Sequence, residues 1–207
     1  MAKSNSSKRW LKEHFDDEFV KQSRHDGFRS RAVYKLKELN DKDNLFSKGG
    51  VVVDLGAAPG AWTQFAMQKV GTTGEVIALD ILKMDDIPGV TIIQGDFTEN
   101  EVLDQLLNVI GERSIDTVIS DMAPNLSGMD SIDQARSTYL VELAVDLADQ
   151  VLKAGGDFVA KIFQGEGFDD IVKDLRLKYS RVKIRKPKAS RSRSREVYLV
   201  ALNKKQK

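Results

Sequence analysis

From residue 49 onward, short β-branched apolar runs alternate with longer stretches of helical periodicity, and this alternation limits the possible folds more than any other feature. Val51–Leu55 (VVVDL) is a nearly unbroken apolar run closed by Gly56, the pattern of a parallel strand buried on both faces. Glu75–Asp80 and residues 91–96, 116–121 and 157–162 repeat it. Between them, Ala61–Val70 and residues 99–110 and 132–152 read as helices. Strands alternating with helices predict βαβ units: an α/β fold built on an open, mostly parallel sheet with helices on both faces. After a helix over 169–178, strands over 181–186 and 196–201 are joined only by KPKASRSRSR, which predicts a hairpin and an antiparallel last strand. Residues 8–24 and 29–40 read as helices ahead of the sheet. With no internal repeat and no long linker, the expectation is a single domain over residues 1–207, of which 1–48 form a basic N-terminal helical extension.

Ligands of open α/β sheets bind beyond the carboxyl ends of the strands, so the residues there are the natural candidates for chemistry. The first strand runs into Asp54-Leu-Gly-Ala-Ala-Pro-Gly60-Ala-Trp62. Gly56 and Gly60 allow close approach to a ligand and a sharp turn into a helix. The turn is neither GxGxxG nor a phosphate-binding GxxxxGK[ST], since no lysine follows Gly60. Asp80 ends the second strand, suited to accept hydrogen bonds from both ribose hydroxyls. Asp96 ends the third, placed to receive an amino group such as that of adenine. A strand-end aspartate also serves as a helix cap, so neither decides the matter alone. The fourth strand ends in Asp121-Met-Ala-Pro-Asn125. The set describes a pocket for an adenosine-containing ligand without a phosphate chain, which fits S-adenosylmethionine better than NAD or ATP.

The fifth strand, within GDFVAKIFQG, carries Lys161 where an apolar residue is expected. A buried ammonium is costly unless paired. The plain alternative is a lysine reaching from the strand end to water.

The net charge of +1 conceals segregation. Residues 1–37 hold ten Lys/Arg against five Asp/Glu, residues 173–207 fourteen against two, and residues 38–172 eight against 24. If the basic ends converge, they form a cationic surface suited to phosphate backbones. The chain has no cysteine, which excludes disulfides and thiolate metal sites and fits a reducing cytoplasmic setting. His14 and His25 make a weak case for a metal, and none is expected. No apolar run marks the N-terminus or reaches membrane-spanning length, so no signal peptide or membrane association is expected.

DLGAAPGAW, SDMAPN, YLVELA, KIFQGEGF, SRSREVY and RSRAVYKL, in their spacing from Arg9 to Val200, resemble the FtsJ/RrmJ (RlmE) family of ribosomal RNA 2′-O-ribose methyltransferases. The resemblance implies a Rossmann-like methyltransferase fold, a seven-stranded sheet with the last strand antiparallel. It places a catalytic tetrad on Lys35, Asp121, Lys161 and Glu196, and cofactor binding on Gly60, Trp62, Asp80, Asp96 and Asp121. Ala61 stands where the family usually has a second glycine.

A ribose 2′-hydroxyl is a poor nucleophile, so displacement at a sulfonium methyl needs alignment and removal of its proton. A lysine can take that proton only if its pKa is lowered by burial or neighbouring positive charge. The expectation is Lys161 as base, Asp121 orienting it, and Lys35 and Glu196 positioning the ribose and tuning charge. Arg29, Arg31, Arg191, Arg193 and Arg195 lie close in sequence to Lys35 or Glu196 and are candidates to grip RNA phosphates. By resemblance, the substrate is a uridine in the A-loop of 23S rRNA within the large ribosomal subunit, and the protein acts as a monomer. Methylation of tRNA or another RNA, or a non-catalytic assembly factor, are the competing readings.

Overall fold

The structure is a computed structural model that describes residues 17–125, 127–191 and 194–206. Its sheet contains β1 (Val51–Leu55), β2 (Glu75–Asp80), β3 (Val90–Gln94), β4 (Ile115–Ser120), β5 (Leu152–Phe163), β6 (Tyr179–Arg185) and β7 (Glu196–Lys204). The order is β3-β2-β1-β4-β5-β7-β6. The chain steps from β1 toward β3, then restarts at β4 on the other side of β1, so the switch point lies between β1 and β4. Strands β1 to β5 pair in parallel, whereas β7 lies antiparallel to both β5 and β6.

Helices cover both faces, as strands apolar on both sides require. Val53 and Leu55 join one core with α4 (Asn100–Ile110), α5 (Asp130–Val151) and α6 (Phe168–Lys178), through residues such as Leu106, Val145 and Leu175. Val52, one position along and so on the opposite face, joins a second core with α2 (Val33–Asp43) and α3 (Ala61–Val70), through Leu36, Leu39 and Phe65. The short α1 (Glu18–His25) is capped by Asp17, whose carboxylate accepts the Phe19 amide.

Several boundaries differ from the sequence expectation: β3 ends at Gln94, which leaves Asp96 in the turn beyond it, and β7 runs on to Lys204 rather than 201. Helix α2 begins at Val33 rather than residue 29; the Arg29 amide, ahead of it, donates to Gln64 Oε1. Strand β5 begins at Leu152 rather than 157, and the pairing of β4 jumps from Leu152 to Asp157 across an irregularity. Helix α5 therefore passes directly into β5. The buried Lys204 donates to the carbonyls of Ala148, Asp149 and Leu152 at that junction. A cation there matches the helix's negative end. Among the described residues no helix is long and apolar enough to cross a membrane.

Candidate active site

The carboxyl ends of β4 and β5 and the start of β7 meet at one place. Lys161 and Tyr198 are cross-strand partners in the β5–β7 ladder, and Glu196 lies two residues before Tyr198, so all three project from the same face. Asp121 follows β4, next to β5 in the sheet. Lys161 Nζ lies 2.5 Å from the Asp121 carbonyl oxygen and 3.1 Å from its carboxylate. On the other side, Lys35 from α2 reaches Glu196 at 2.8 Å. The Tyr198 hydroxyl donates to the Asp121 carboxylate at 2.8 Å, and its ring lies 5.7 Å from Lys35 Nζ, so the two ion pairs are bridged through one side chain. The lysine near the strand end is thus paired rather than stretched into solvent; it is only 10% exposed.

Burial works to raise the Asp121 pKa, but the ammonium groups of Lys161 and Lys35 and the Tyr198 hydrogen bond hold it below the ordinary carboxylate value. Glu196 behaves alike: burial opposes ionisation, and Lys35 overcomes it. Both carboxylates are therefore anions at neutral pH. Burial together with Asp121 and Glu196 pushes the Tyr198 phenol well up, which keeps it a hydrogen-bond donor.

Beside this cluster lies a cleft of about 630 Å³ at the switch point, lined by Gly56, Asp80, Asp96 and Asp121 with Leu82 and Phe97 among its apolar walls. Asp80 accepts the Ala58 and Leu82 amides, so it also braces the loops around it. Asp96 caps the turn after β3 through one oxygen, which accepts the Thr98 amide and hydroxyl. A carboxylate offers about four lone-pair sites over its two oxygens, and each aspartate uses two in these bonds, so both keep acceptor capacity. Trp62 is buried, donates its indole N–H to the Ala32 carbonyl at 2.8 Å and packs 5.7 Å from the Tyr198 ring.

The two glycines of the turn accommodate the chain itself. A Cβ on Gly56, at φ +73°, would stand 2.8 Å from the Met122 backbone nitrogen, where the β4 exit crosses the turn. One on Gly60, at φ +106°, would meet Arg29 Nη1 at 2.9 Å. Asp54 is fully buried beneath the turn, with one oxygen accepting the Thr63 hydroxyl at 2.6 Å and the other without a partner. Burial pushes its carboxyl up to about 7, against the pull of Thr63 and aided by Asp121 and Asp80.

The arginines divide. Arg29 donates to the carbonyls of Pro59, Asp85 and Asp86, and Arg31 pairs with Asp17 and donates to the Ala189 carbonyl. Arg195 is exposed, 3.4 Å from Asp130 at the surface, and Arg191 is half-buried. Arg193 lies outside the described residues, as does His14. Strand β6, α2 and the segment after β6 are tied together by Asp43, which receives Lys183 and Arg185, and by Glu38, which receives the Lys188 amide. The basic C-terminal segment is thereby docked beside α2, the element that carries Lys35.

Several site residues escaped the sequence reading. Tyr198 was recoverable from strand alternation with Glu196 in EVY. Asp133 of α5 accepts the Ser127 amide and hydroxyl and the Gly128 amide, and these bonds hold its pKa low and pin the loop leaving β4. Its only sequence signal was an acid in the first turn of a helix. Arg136 and Tyr139 also line the cleft from α5; Tyr139 opens the YLVELA motif, whereas nothing in the local sequence marks Arg136.

The pattern of the family described as FtsJ-like methyltransferase matches residues 28–204. The chain is 60% identical over 200 residues to "Ribosomal RNA large subunit methyltransferase E" of Cellvibrio japonicus, covering 97% of this chain and 95% of that protein. It is 57% identical to the protein of the same name from Hydrogenovibrio crunogenus, covering 99% and 100%. Among solved structures, a Plasmodium falciparum protein described as a ribosomal RNA methyltransferase superposes with a TM-score of 0.76 at 29% identity, covering 87% of this chain and all of that one.

Proposed function

Because the chain belongs to the FtsJ-like methyltransferase family, we propose that it transfers a methyl group from S-adenosylmethionine to a ribose 2′-oxygen of 23S rRNA, at a uridine of the A-loop in the large ribosomal subunit. The observation that carries this reading is the contact of Lys161 with both acceptors of Asp121, at the edge of the cleft and beside the Lys35–Glu196 pair. The relatives named for methylation of large-subunit rRNA support the substrate class.

The cleft suits the methyl donor by its donor set and size: carboxylates at or just beyond two strand ends for hydroxyl and amino groups and apolar walls for a base, with the cation Arg136 also in its lining. Asp80 would hold the ribose, Asp96 the adenine amino group, and the Gly60 turn with Trp62 and Asp121 the remainder. When bound, S-adenosylmethionine supplies a methyl group on a positively charged sulfur. Lys161 takes the proton that the 2′-hydroxyl loses. To act as base, the ammonium beside Asp121 must first give up a proton; the resulting amine has two N–H donors and one lone pair. With both donors directed to the carbonyl and carboxylate of Asp121, the lone pair is left for the hydroxyl. Asp121 is kept anionic and aimed by Tyr198. Lys35, restrained by Glu196, lies where it can meet the ribose or its phosphate. Arg191 and Arg195, with the exposed Lys186 and Lys188, extend a cationic rim for the RNA backbone. Contacts to phosphate carry no sequence information, so such a rim suits a structured target read by its shape. The protein is expected to act as a monomer in the cytoplasm.

Transfer of labelled methyl to purified large subunits, followed by mapping of the modified ribose, tests the reading. A 2′-O-methylated uridine in the A-loop supports it. Label appearing only in tRNA would move the substrate, and label on a base would refute ribose chemistry.

A further inference from the structure

Arg29 is among the candidates for gripping RNA, yet its guanidinium is committed to backbone carbonyls of the protein. Nη1 donates to the Pro59 carbonyl at 3.1 Å and the Asp85 carbonyl at 2.8 Å, and Nη2 donates to the Asp86 carbonyl at 2.9 Å. Pro59 belongs to the turn after β1, and Asp85 and Asp86 belong to the loop that leaves Asp80, so one guanidinium bridges the two loops flanking the cleft. Gly60 makes the room: a Cβ there would stand 2.9 Å from Nη1. The base of the bolt is also fixed, since the Arg29 amide donates to Gln64 Oε1 of α3 at 2.9 Å.

We propose that Arg29 is a positioning residue for the cofactor site, holding the turn after β1 and the loop after β2 at the separation that the cofactor needs, rather than a contact to RNA phosphate. A planar guanidinium is suited to the task because its fixed fork satisfies several carbonyls at once, whereas a lysine ammonium is a single point on a flexible stem. The glycine at position 60 then serves Arg29 as much as any ligand. The inference rests on reading the cleft as the methyl-donor site.

The test compares Arg29→Ala, Arg29→Gln and Arg29→Lys with Arg191→Ala, measuring S-adenosylmethionine binding by calorimetry, KM and kcat for methyl transfer, and the salt dependence of rRNA binding. For Arg29→Ala, the cofactor Kd and KM rise roughly tenfold, as expected for losing charge-assisted hydrogen bonds, kcat at saturating cofactor changes less, and the salt slope stays at the wild-type value. Arg29→Lys recovers part of the affinity. Arg191→Ala shows the reverse: a shallower salt slope with unchanged cofactor affinity. A shallower slope for Arg29→Ala with normal cofactor binding would return Arg29 to the RNA surface and overturn the proposal. A lowered melting temperature with unchanged Kd, KM and kcat would reduce it to a purely structural tie and overturn it equally. Failure of the wild-type protein to bind S-adenosylmethionine would instead remove the reading of the cleft, an outcome visible before any variant is compared.

Discussion

At the scale of single residues, the site is a problem of charges in a confined space. Lys161 and Asp121 sit deep enough that either alone would carry a desolvation cost, and each is tolerable through the other. Removing Lys161 therefore strips the proposed base and leaves Asp121 with Tyr198 and the more distant Lys35. Lys161→Ala is expected to lower methyl transfer by about a thousandfold or more, with S-adenosylmethionine binding retained in calorimetry; near-normal turnover would exclude the lysine as base. Asp54 presents the opposite case, a buried carboxyl with an unpartnered oxygen and a pKa raised from 3.8 to about 7. Its folded form holds a proton that the unfolded form has released. The associated stability is fully present below the unfolded pKa and is lost as pH rises through the folded one. Asp54→Asn imitates the protonated state, so its melting temperature should gain on that of the wild type between about pH 4 and about pH 7. A difference that is flat or shrinks over that range would show that Asp54 titrates normally.

At the scale of elements, strand β7 organises the site. Its insertion between β5 and β6 sets Tyr198 opposite Lys161 and leaves Glu196 close enough to α2 for Lys35 to reach. The β5 lysine was legible as an anomaly in an apolar run, because burial in a parallel sheet is a local pattern. Asp121 as its partner came through the resemblance, while the pairing with Tyr198 was not legible: cross-strand neighbours depend on register, and residues 161 and 198 are far apart in the chain. The junction of α5 and β5 makes a similar point. It has no loop, and Lys204, from the far end of β7, satisfies its carbonyls. Lys204→Met keeps the packing volume while removing those donors, and should destabilise the fold by about 2–4 kcal/mol in urea unfolding. A change within about 0.5 kcal/mol would show that water replaces the ammonium. Gly56 belongs to the same scale: Gly56→Ala would press a methyl against the Met122 backbone and should weaken both stability and cofactor binding.

At the scale of the whole molecule, the described parts of the basic ends meet. The N-terminal helices and the β6–β7 segment are joined by Arg31 to Ala189, Glu38 to Lys188 and Asp43 to β6, so charges distant in sequence share the surface around Lys35 and Glu196. Arg191→Ala with Arg195→Ala should reduce the slope of log affinity against log salt for rRNA by about 1.4 to 1.8, as expected when two phosphate contacts are lost. An unchanged slope would show that these side chains do not touch the backbone. Acid should dismantle the same centre. Asp121 and Glu196 have depressed folded pKa values, so their contribution is present above the ordinary carboxylate range and is lost as pH falls through those lower values.

Taken alone, the sequence determined the class of fold, the strand ends where chemistry should lie, and the residues Asp80, Asp96, Asp121 and Lys161 as candidates there. Hydrophobic periodicity and turn chemistry are local properties, and strand ends in such sheets face one side. Only the tertiary structure decided that Tyr198 joins two ion pairs, that Gly60 makes space for Arg29, and that Arg29 and Arg31 face inward while Arg195 faces out. An arginine looks the same in a sequence whether its guanidinium meets water, phosphate or a ring of carbonyls. Which one it meets depends on which distant loop the packed sheet brings within about 3 Å of it.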